Sequence, residues 1–276
     1  MSLVLDDIKY FITISETLNI TRASEIIGIS QPALSYSIKR LEFELGGQVF
    51  IRLKNGIQLT KLGEEFNHRA RRLIYEWEQA QNLADTEAGL TQGSYTFAIH
   101  PSVALYTLES FIPHLQRSYP GLNFNFIHGL SREMTEKVIS WEADFGIVVN
   151  PIKHPDLVII KLCTDEVTIF YTKDTQDKLI CDQQLAQSQY ILKKIGKKNQ
   201  FSGMINSSNL EVVAKLTSLG LGYGLLPSRV AQQYSQLKKL KDAPVFKDEI
   251  CLVFRPEKHN NLVSQKIIKT IKASQI

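Results

Sequence analysis

The sequence predicts a multi-domain chain: a small helical unit carrying a β-hairpin, then a long helix, then a larger α/β domain. Three observations carry this. The first 45 residues set small and apolar side chains at helical spacing in three short blocks, and "QVFIRLKNGIQLT" alternates apolar and polar residues about an Asn-Gly pair. Beyond residue 93, apolar runs rich in β-branched and aromatic residues alternate with helical patterns, as in a helix-covered parallel sheet. At 276 residues the chain also exceeds one average domain of roughly 150.

Bulk composition narrows the class. Hydrophobic content of 43%, charged content of 22% and 9 prolines describe an ordinary globular chain, neither disordered nor fibrous. Asp6 and Asp7 interrupt the stretch where a secretion signal needs an apolar core, and no later apolar run reaches bilayer-spanning length. A cytoplasmic protein with no membrane partner is expected. Cys163, Cys181 and Cys251 are too few and too scattered for a disulfide framework or a CxxC metal site, so buried reduced thiols are expected, with no metal and no cofactor. Residues 1–90 carry 10 Lys+Arg against 12 Asp+Glu, and residues 91–276 carry 22 against 16. Any nucleic-acid surface in the first part must therefore come from local placement, not bulk charge.

Ile8, Phe11, Ile12, Ser15 and Leu18 recur at helical spacing and make a first amphipathic helix that ends near Asn19. Asn19 caps a second, Ile20 to Ile27, whose Ala23, Ile26 and Ile27 pack on the first. Gly28 stops it and Ser30 caps the third. At about 100° per residue, Ile38, Leu41 and Leu45 fall within about 40° of Leu34 and form a buried stripe. The opposite side holds Pro32, Tyr36, Lys39, Arg40 and Phe43, flanked by Gln31 and Ser35. Pro32 is tolerated because first-turn amides have no intrahelical partner. A slim, cation-bearing helix end fits a major groove, where Gln pairs bidentately with adenine and Ser or Tyr reaches bases or phosphates. The Asn55-Gly56 pair then turns a wing, with Arg52 and Lys54 at its turn-proximal end beside phosphates or a minor groove.

Taken in order, "F", "NITRAS", "SQPALSYSIKRLE", "LG", "VFIR", "GIQLT" and Gly63 resemble the winged helix-turn-helix of LysR-type transcriptional regulators. Ser24, where the family usually has a second alanine, and Gly47-Gln48-Val49 are small departures. The resemblance implies sequence-specific binding of double-stranded DNA, with Gln31, Pro32, Ser35, Tyr36 and Lys39 facing the groove and Thr21, Arg22, Arg40, Arg52 and Lys54 holding phosphates. From Lys61 to about Glu87, Leu62, Phe66, Leu73, Trp77, Ala80 and Ala84 form a stripe on a long helix. Periodicity fits packing on its own domain as well as on a partner; the resemblance implies an antiparallel linker-helix homodimer, and beyond it a tetramer.

"EAGLTQGS" ends the helical pattern, which divides the chain into a DNA-binding domain at 1–60, a linker helix at 61–90 and a regulatory domain at 91–276. "YTFAIHPS", "LNFNFIHG", "ADFGIVVN", "DEVTIFYT", "YGLLP" and "EICLVF" read as strands separated by helical runs. "SYPGLNFNF", "ADFGIV" and "LTSLGLGYGLLP" are similar to the two-lobed, periplasmic-binding-protein-like effector domain of the same family. Open parallel sheets bind ligands beyond the carboxyl ends of strands, which makes His100, Ser102, Ser131, Asn150 and Asn206 candidate contacts to a small-molecule effector. Helix starts nearby favour an anionic one; helix caps and turn residues are the bland alternative.

"QYILKK" is read as a strand, which leaves only "KKIGKKNQ" before the next one, where the family usually inserts a helix. The second lobe is therefore expected to be abbreviated, with Lys193, Lys194, Lys197 and Lys198 in a solvated loop. Two functional alternatives follow: a DNA-binding repressor without an effector, controlled by protein contacts, and an enzyme or solute binder built on Ser102, His100 or His128, and Asp144. No G-x-S-x-G elbow, P-loop or HExxH spacing supports catalysis, so a non-enzyme is expected.

Overall fold

Capping residues set the first three helices. The computed structural model describes residues 5–53, 56–81, 91–196, 201–274 and 276, and these form two compact units, the first running to Thr91 and including Ser140–Glu142, the second made of Gln92–Ile139 and Ala143–Ile276. In the first, α1 (Leu5–Thr17) is followed by α2 (Ile20–Ile27), whose cap Asn19 accepts the Arg22 amide at 3.0 Å. α3 (Gln31–Leu45) starts at Ser30, which accepts the Ala33 amide, and ends at Gly46 in the left-handed conformation at φ 69°. Strands β1 (Phe50–Leu53) and β2 (Gly56–Leu59) form the wing. Gly56 pairs with Leu53, so it belongs to the ladder rather than to the turn; the connecting residues 54 and 55 lie outside the described residues.

Leu34, Ile38 and Leu41 are buried with Ile8, Phe11, Ile14 and Ala23 in one core. Ile26 is 62% exposed and contributes nothing to it, while Ser24, one turn position away, is buried and turns its hydroxyl back to the Thr21 carbonyl at 2.7 Å. That internal bond lets a hydroxyl occupy a helix–helix contact. Asp7 on α1 is 0% exposed and accepts from two α3 side chains: the Ser37 hydroxyl and the Arg40 guanidinium, whose Nε stands 2.7 Å from Oδ2. This charge-assisted fork ties α1 to α3 and holds the Arg40 proton more tightly than usual.

Helix α4 (Lys61–Gln81) begins on Thr60, whose Oγ1 accepts the Gly63 amide at 3.0 Å. A Cβ on Gly63 would stand 2.1 Å from the Val49 carbonyl oxygen, so only glycine lets α4 approach the chain before the wing. Phe66 packs edge-on to Phe11, and Ala70 and Ile74 continue that contact, so Phe66 of the expected stripe belongs to the unit's own core, with two residues the stripe did not include. Leu62, Leu73 and Trp77 are exposed. At about 100° per residue the two sets lie on overlapping faces, which is why sequence spacing merged them. Ala84 lies outside the described residues.

The second unit is one curled, mixed sheet. Its first lobe contains β3 (Gln92–Ile99), α5 (Pro101–Ser118), β4 (Gly121–His128), α6 (Ser131–Ile139) and β5 (Phe145–Val149). The long β6 (Val158–Tyr171) leads into the second lobe: β7 (Lys178–Cys181), α7 (Ala186–Ile195), β8 (Gly203–Asn206), α8 (Leu210–Ser218), β9 (Tyr223–Pro227), α9 (Ser228–Ala231) and β10 (Lys238–Lys239). β11 (Phe246–Phe254) returns to the first lobe, which a 3-10 turn and α10 (Leu262–Ala273) complete. The strand order is β4-β3-β5-β11-β6-β9-β7-β8, with β10 on β6. Pairs β3–β4, β3–β5, β7–β8 and β7–β9 are parallel, and the junction β5–β11–β6–β9 is antiparallel.

Phe97, Phe111, Phe145 and Phe254 dominate the first lobe's core, while Val213, Ala214 and Leu226 centre one core of the second. The second lobe is not abbreviated. Tyr190, Ile191 and Leu192 lie in α7, and the strand before it is "KLIC", whose Leu179, Ile180 and Cys181 are fully buried. Ile191, Leu192 and Ile195 pack inward at helical spacing, a pattern that a three-residue apolar run conceals. Lys193 and Lys194 end that helix; Lys197 and Lys198 are outside the described residues.

The fork at Asp7 generates a prediction. Asp7→Ala removes the acceptor of the buried Ser37 hydroxyl as well as the Arg40 partner, and the stranded hydroxyl alone should lower the stability of the α1–α3 amides by about 1–3 kcal/mol. Hydrogen exchange on the full chain reads this out; a loss below about 1 kcal/mol, the size of a surface pair, contradicts it.

Candidate functional site

The first unit presents an outward face on α3. Gln31, Pro32, Tyr36 and Lys39 are exposed and Ser35 is half-buried, on the side opposite Leu34, Ile38 and Leu41. Thr21 and Arg22 are exposed at the start of α2, and Arg52 on β1. Arg40 departs from this set. Its guanidinium is held by Asp7 and stands 5.9 Å from the Tyr36 ring centre, so its charge supports the helix rather than reaching a phosphate. Lys54 lies outside the described residues. Phe43, on the same face as Tyr36, is exposed at the far end of α3.

In the second unit the carboxyl ends of β3, β4, β5, β7, β8 and β9 converge on a cleft between the lobes. It has two adjoining cavities of about 480 and 460 Å³, which share His100, Ser102, Leu130, Gln184, Leu185 and Leu210. Four of the five expected effector contacts line them. Ser102 is almost fully buried and faces Glu211 of the opposite lobe, whose carboxyl pKa burial raises and Ser102 draws back down. Ser131 accepts the Val149 amide at 3.0 Å. Asn150, at φ 49°, donates from Nδ2 to Asp248 at 2.7 Å and accepts the Glu249 amide at 2.8 Å. His100 makes no side-chain cap to α5. Asn206 lies away from the cavities; its Oδ1 accepts the Gln183 amide at 3.1 Å and orders the turn after β7.

The deepest polar groups of the cleft are ones the sequence reading passed over. Asp165 on β6 and Asp248 on β11 stand directly opposite each other in the antiparallel ladder, line the same cavity, and are 6% and 3% exposed. Asp165 accepts the backbone amides of Glu166 and Arg229; Asp248 accepts Asn150 and, at 3.2 Å, the Gln187 side chain. Asp182, 3% exposed at the end of β7, lines the other cavity. An Asp at the head of an apolar strand, in "TDEVTIF" and "KDEICLVF", was the available signal. Burial lowers the His100 pKa, opposed by the charge of Asp182.

The triad imagined from Ser102, a histidine and Asp144 does not assemble. Asp144 precedes β5 at its opposite end, about 16 Å along the strand from the cleft. It accepts the Thr96 amide at 2.7 Å and the buried Lys258 ammonium. Among the described residues there is no cluster of three or more potential metal ligands, and no helix long and apolar enough to cross a membrane. Burial pushes the Cys181 and Cys251 thiols up to about 11.

Burial pushes the Asp248 carboxyl up to about 6, against the Asn150 hydrogen bond and with the charge of Asp165 adding. The folded state therefore binds more protons than the unfolded one between about pH 4 and pH 6, so stability falls as pH rises through that window and levels off above it. Asp248→Asn lessens the decline, to which the raised Asp165 and Glu211 also contribute, and should stabilise the domain by about 1–3 kcal/mol at pH 7.5, since Gln187 can flip its amide to accept. Denaturant unfolding at pH 5 and 7.5 tests this; a variant less stable than the parent at pH 7.5 contradicts it.

Residues 5–64 match the model of the bacterial regulatory helix-turn-helix protein, lysR family, and residues 88–275 that of the LysR substrate binding domain. The HTH-type transcriptional regulator CysL of Bacillus subtilis is 30% identical over 164 residues, a stretch that spans 59% of this chain and only 55% of CysL. A full-length OxyR variant from Pseudomonas aeruginosa superposes with a TM-score of 0.73 at 19% identity, over 99% of this chain and 94% of that one. CbnR, solved in complex with its target DNA, superposes with a TM-score of 0.62 at 17% identity, over 98% and 99%. Both share the architecture of a helical head and a two-lobed α/β domain. With both family models matched in order along its length, the chain belongs to the LysR-type transcriptional regulator family.

Proposed function

We propose that the protein is a sequence-specific DNA-binding transcription regulator whose operator affinity is set by a small molecule in the interlobe cleft. The observation that carries it is the outward face of α3: Gln31, Pro32, Tyr36 and Lys39 are left exposed by a helix whose other side is the core of its unit. Gln31 and Ser35 read bases in the major groove, with Pro32, Tyr36 and Lys39 beside them. Thr21, Arg22, Arg52 and Lys54 hold phosphates and set the register. Leu62, Leu73 and Trp77 on α4 meet a second copy, because a palindromic operator needs two α3 helices at a fixed spacing. A protein with this role works beside the chromosome, in the cytoplasm, as a regulator and not as an enzyme.

His100, Ser102, Ser131 and Asn150 lie where two lobes can close, and a ligand that binds the closed and open forms unequally shifts the DNA-binding state. The motive for an effector-free repressor was a missing wall of the cleft, and α7 supplies that wall.

Base reading and phosphate holding separate experimentally. On an operator selected from genomic fragments, Gln31→Ala should cost roughly 1–3 kcal/mol of discrimination and leave random-DNA affinity intact. Arg52→Ala should weaken binding to every sequence and reduce the salt slope by about 1. Equal loss on operator and random DNA for Gln31→Ala rejects the groove assignment.

A further inference from the structure

The cleft's charge does not match the anionic ligand that its helix starts suggest. Four carboxylates line its two cavities, Glu133, Asp165, Asp182 and Asp248, against one guanidinium, Arg132. Arg132 and Glu133 are exposed at the rim, whereas the three aspartates are buried. None of the three has an ion-pair partner among the described residues. Arg229, whose charge acts on Asp165, makes no ion pair with it: its guanidinium donates to the Ile276 carbonyl oxygen at 3.1 Å and stands 5.5 Å from the ring centre of Tyr106, which lines the same cavity. Among the described residues, the hydrogen bonds to Asp165 and Asp248 come only from backbone amides and neutral side-chain amides. At Asp182, Oδ1 accepts the Gln184 amide at 2.9 Å, and Oδ2 accepts no donor among the described residues while the side chain lines the cavity.

Like charges directly opposite in a ladder repel, with Cβ atoms about 5 Å apart. Burying such a pair without an ion-paired cation is unfavourable, and replacing either residue by an amide would remove the like-charge repulsion. The pair sits where β6 and β11 cross from one lobe to the other, so a group seated on it touches the strands that join the lobes. We propose that the ligand of the cleft carries a positively charged amine or guanidine, seated against the cross-strand pair Asp165 and Asp248, with Asp182 lining the adjoining cavity from the second lobe. This rests on the reading of the cleft as the effector site and adds the ligand's chemical class. The cation is organic: two opposed aspartates are too few donors for a caged metal ion, and no cluster of three or more potential metal ligands occurs among the described residues.

The test is thermal unfolding of the full-length protein at pH 7.5 with four probes at equal concentration: 1,5-diaminopentane, arginine, glutarate and magnesium ion. The two organic cations should raise Tm, and glutarate and magnesium should not. Asp165→Asn and Asp248→Asn should raise Tm without ligand and abolish the response, while Glu136→Gln, on the outer face of α6, should keep it. Gln184→Trp, an exposed cleft position, should block the response sterically. If glutarate stabilises the parent, Gln184→Trp blocks it and Asp248→Asn leaves it unchanged, the cleft stands as a ligand site and the cationic assignment falls. If magnesium alone stabilises, the pair is a metal site and the organic assignment falls. If the amines act equally on Gln184→Trp, the cleft itself is the wrong site. If no probe shifts Tm and Asp248→Asn lowers it, the pair is a structural element and the proposal is overturned.

Discussion

A carboxylate with no access to water must be matched by donors, and in the N-terminal unit that requirement decides which side of α3 remains outside. Asp7 is enclosed between α1 and α3 and is matched there by Ser37 and Arg40. Because both donors lie on α3, the helix cannot rotate about its axis without breaking a charge-assisted fork, and the apolar stripe of Leu34, Ile38 and Leu41 alone would tolerate small rotations. The exposed row of Gln31, Pro32, Tyr36 and Lys39 is thus presented at a defined angle. The wing is fixed to the same helix: Glu42 accepts the Val49 amide at 3.0 Å, just before β1.

The regulatory unit depends on a different constraint, one pair of antiparallel strands shared by both lobes. β6 places Val158, Ile160 and Leu162 in the first lobe's core, and Val167, Ile169 and Phe170 in the second's. β11 runs back across the same line, with a register shift at Ile250–Cys251 beside the cleft. Each lobe contributes three mutually parallel strands whose carboxyl ends open toward the other lobe, so the cleft follows from topology. The two aspartates lie in the middle of the shared ladder, where a change of charge bears on both lobes at once.

Much of this was legible in the residues. Asn19, Ser30 and Gly46 mark helix ends by a local mechanism, and local mechanisms survive without tertiary information. Four of the five cleft positions were found because strand-end loops are where α/β sheets bind ligands. What was lost is tertiary in origin. Ile26 reads as core and is exposed; Arg40 reads as a free cation and is the partner of an aspartate 33 residues away. "YILKK" resembles a strand because three apolar residues do not resolve a period of two from one of 3.6. The stripe on α4 merged an inward and an outward set separated by less than a side chain's angular width.

We propose that the outer face of α3 lies against operator bases. A photoreactive benzophenone side chain placed at Lys39, and in a separate protein at Thr13 on α1, tests this by cross-linking to operator DNA and mapping the linked nucleotides. Links from position 39 to operator nucleotides and none from position 13 are expected. Links from position 13 with none from position 39 place the DNA on another face.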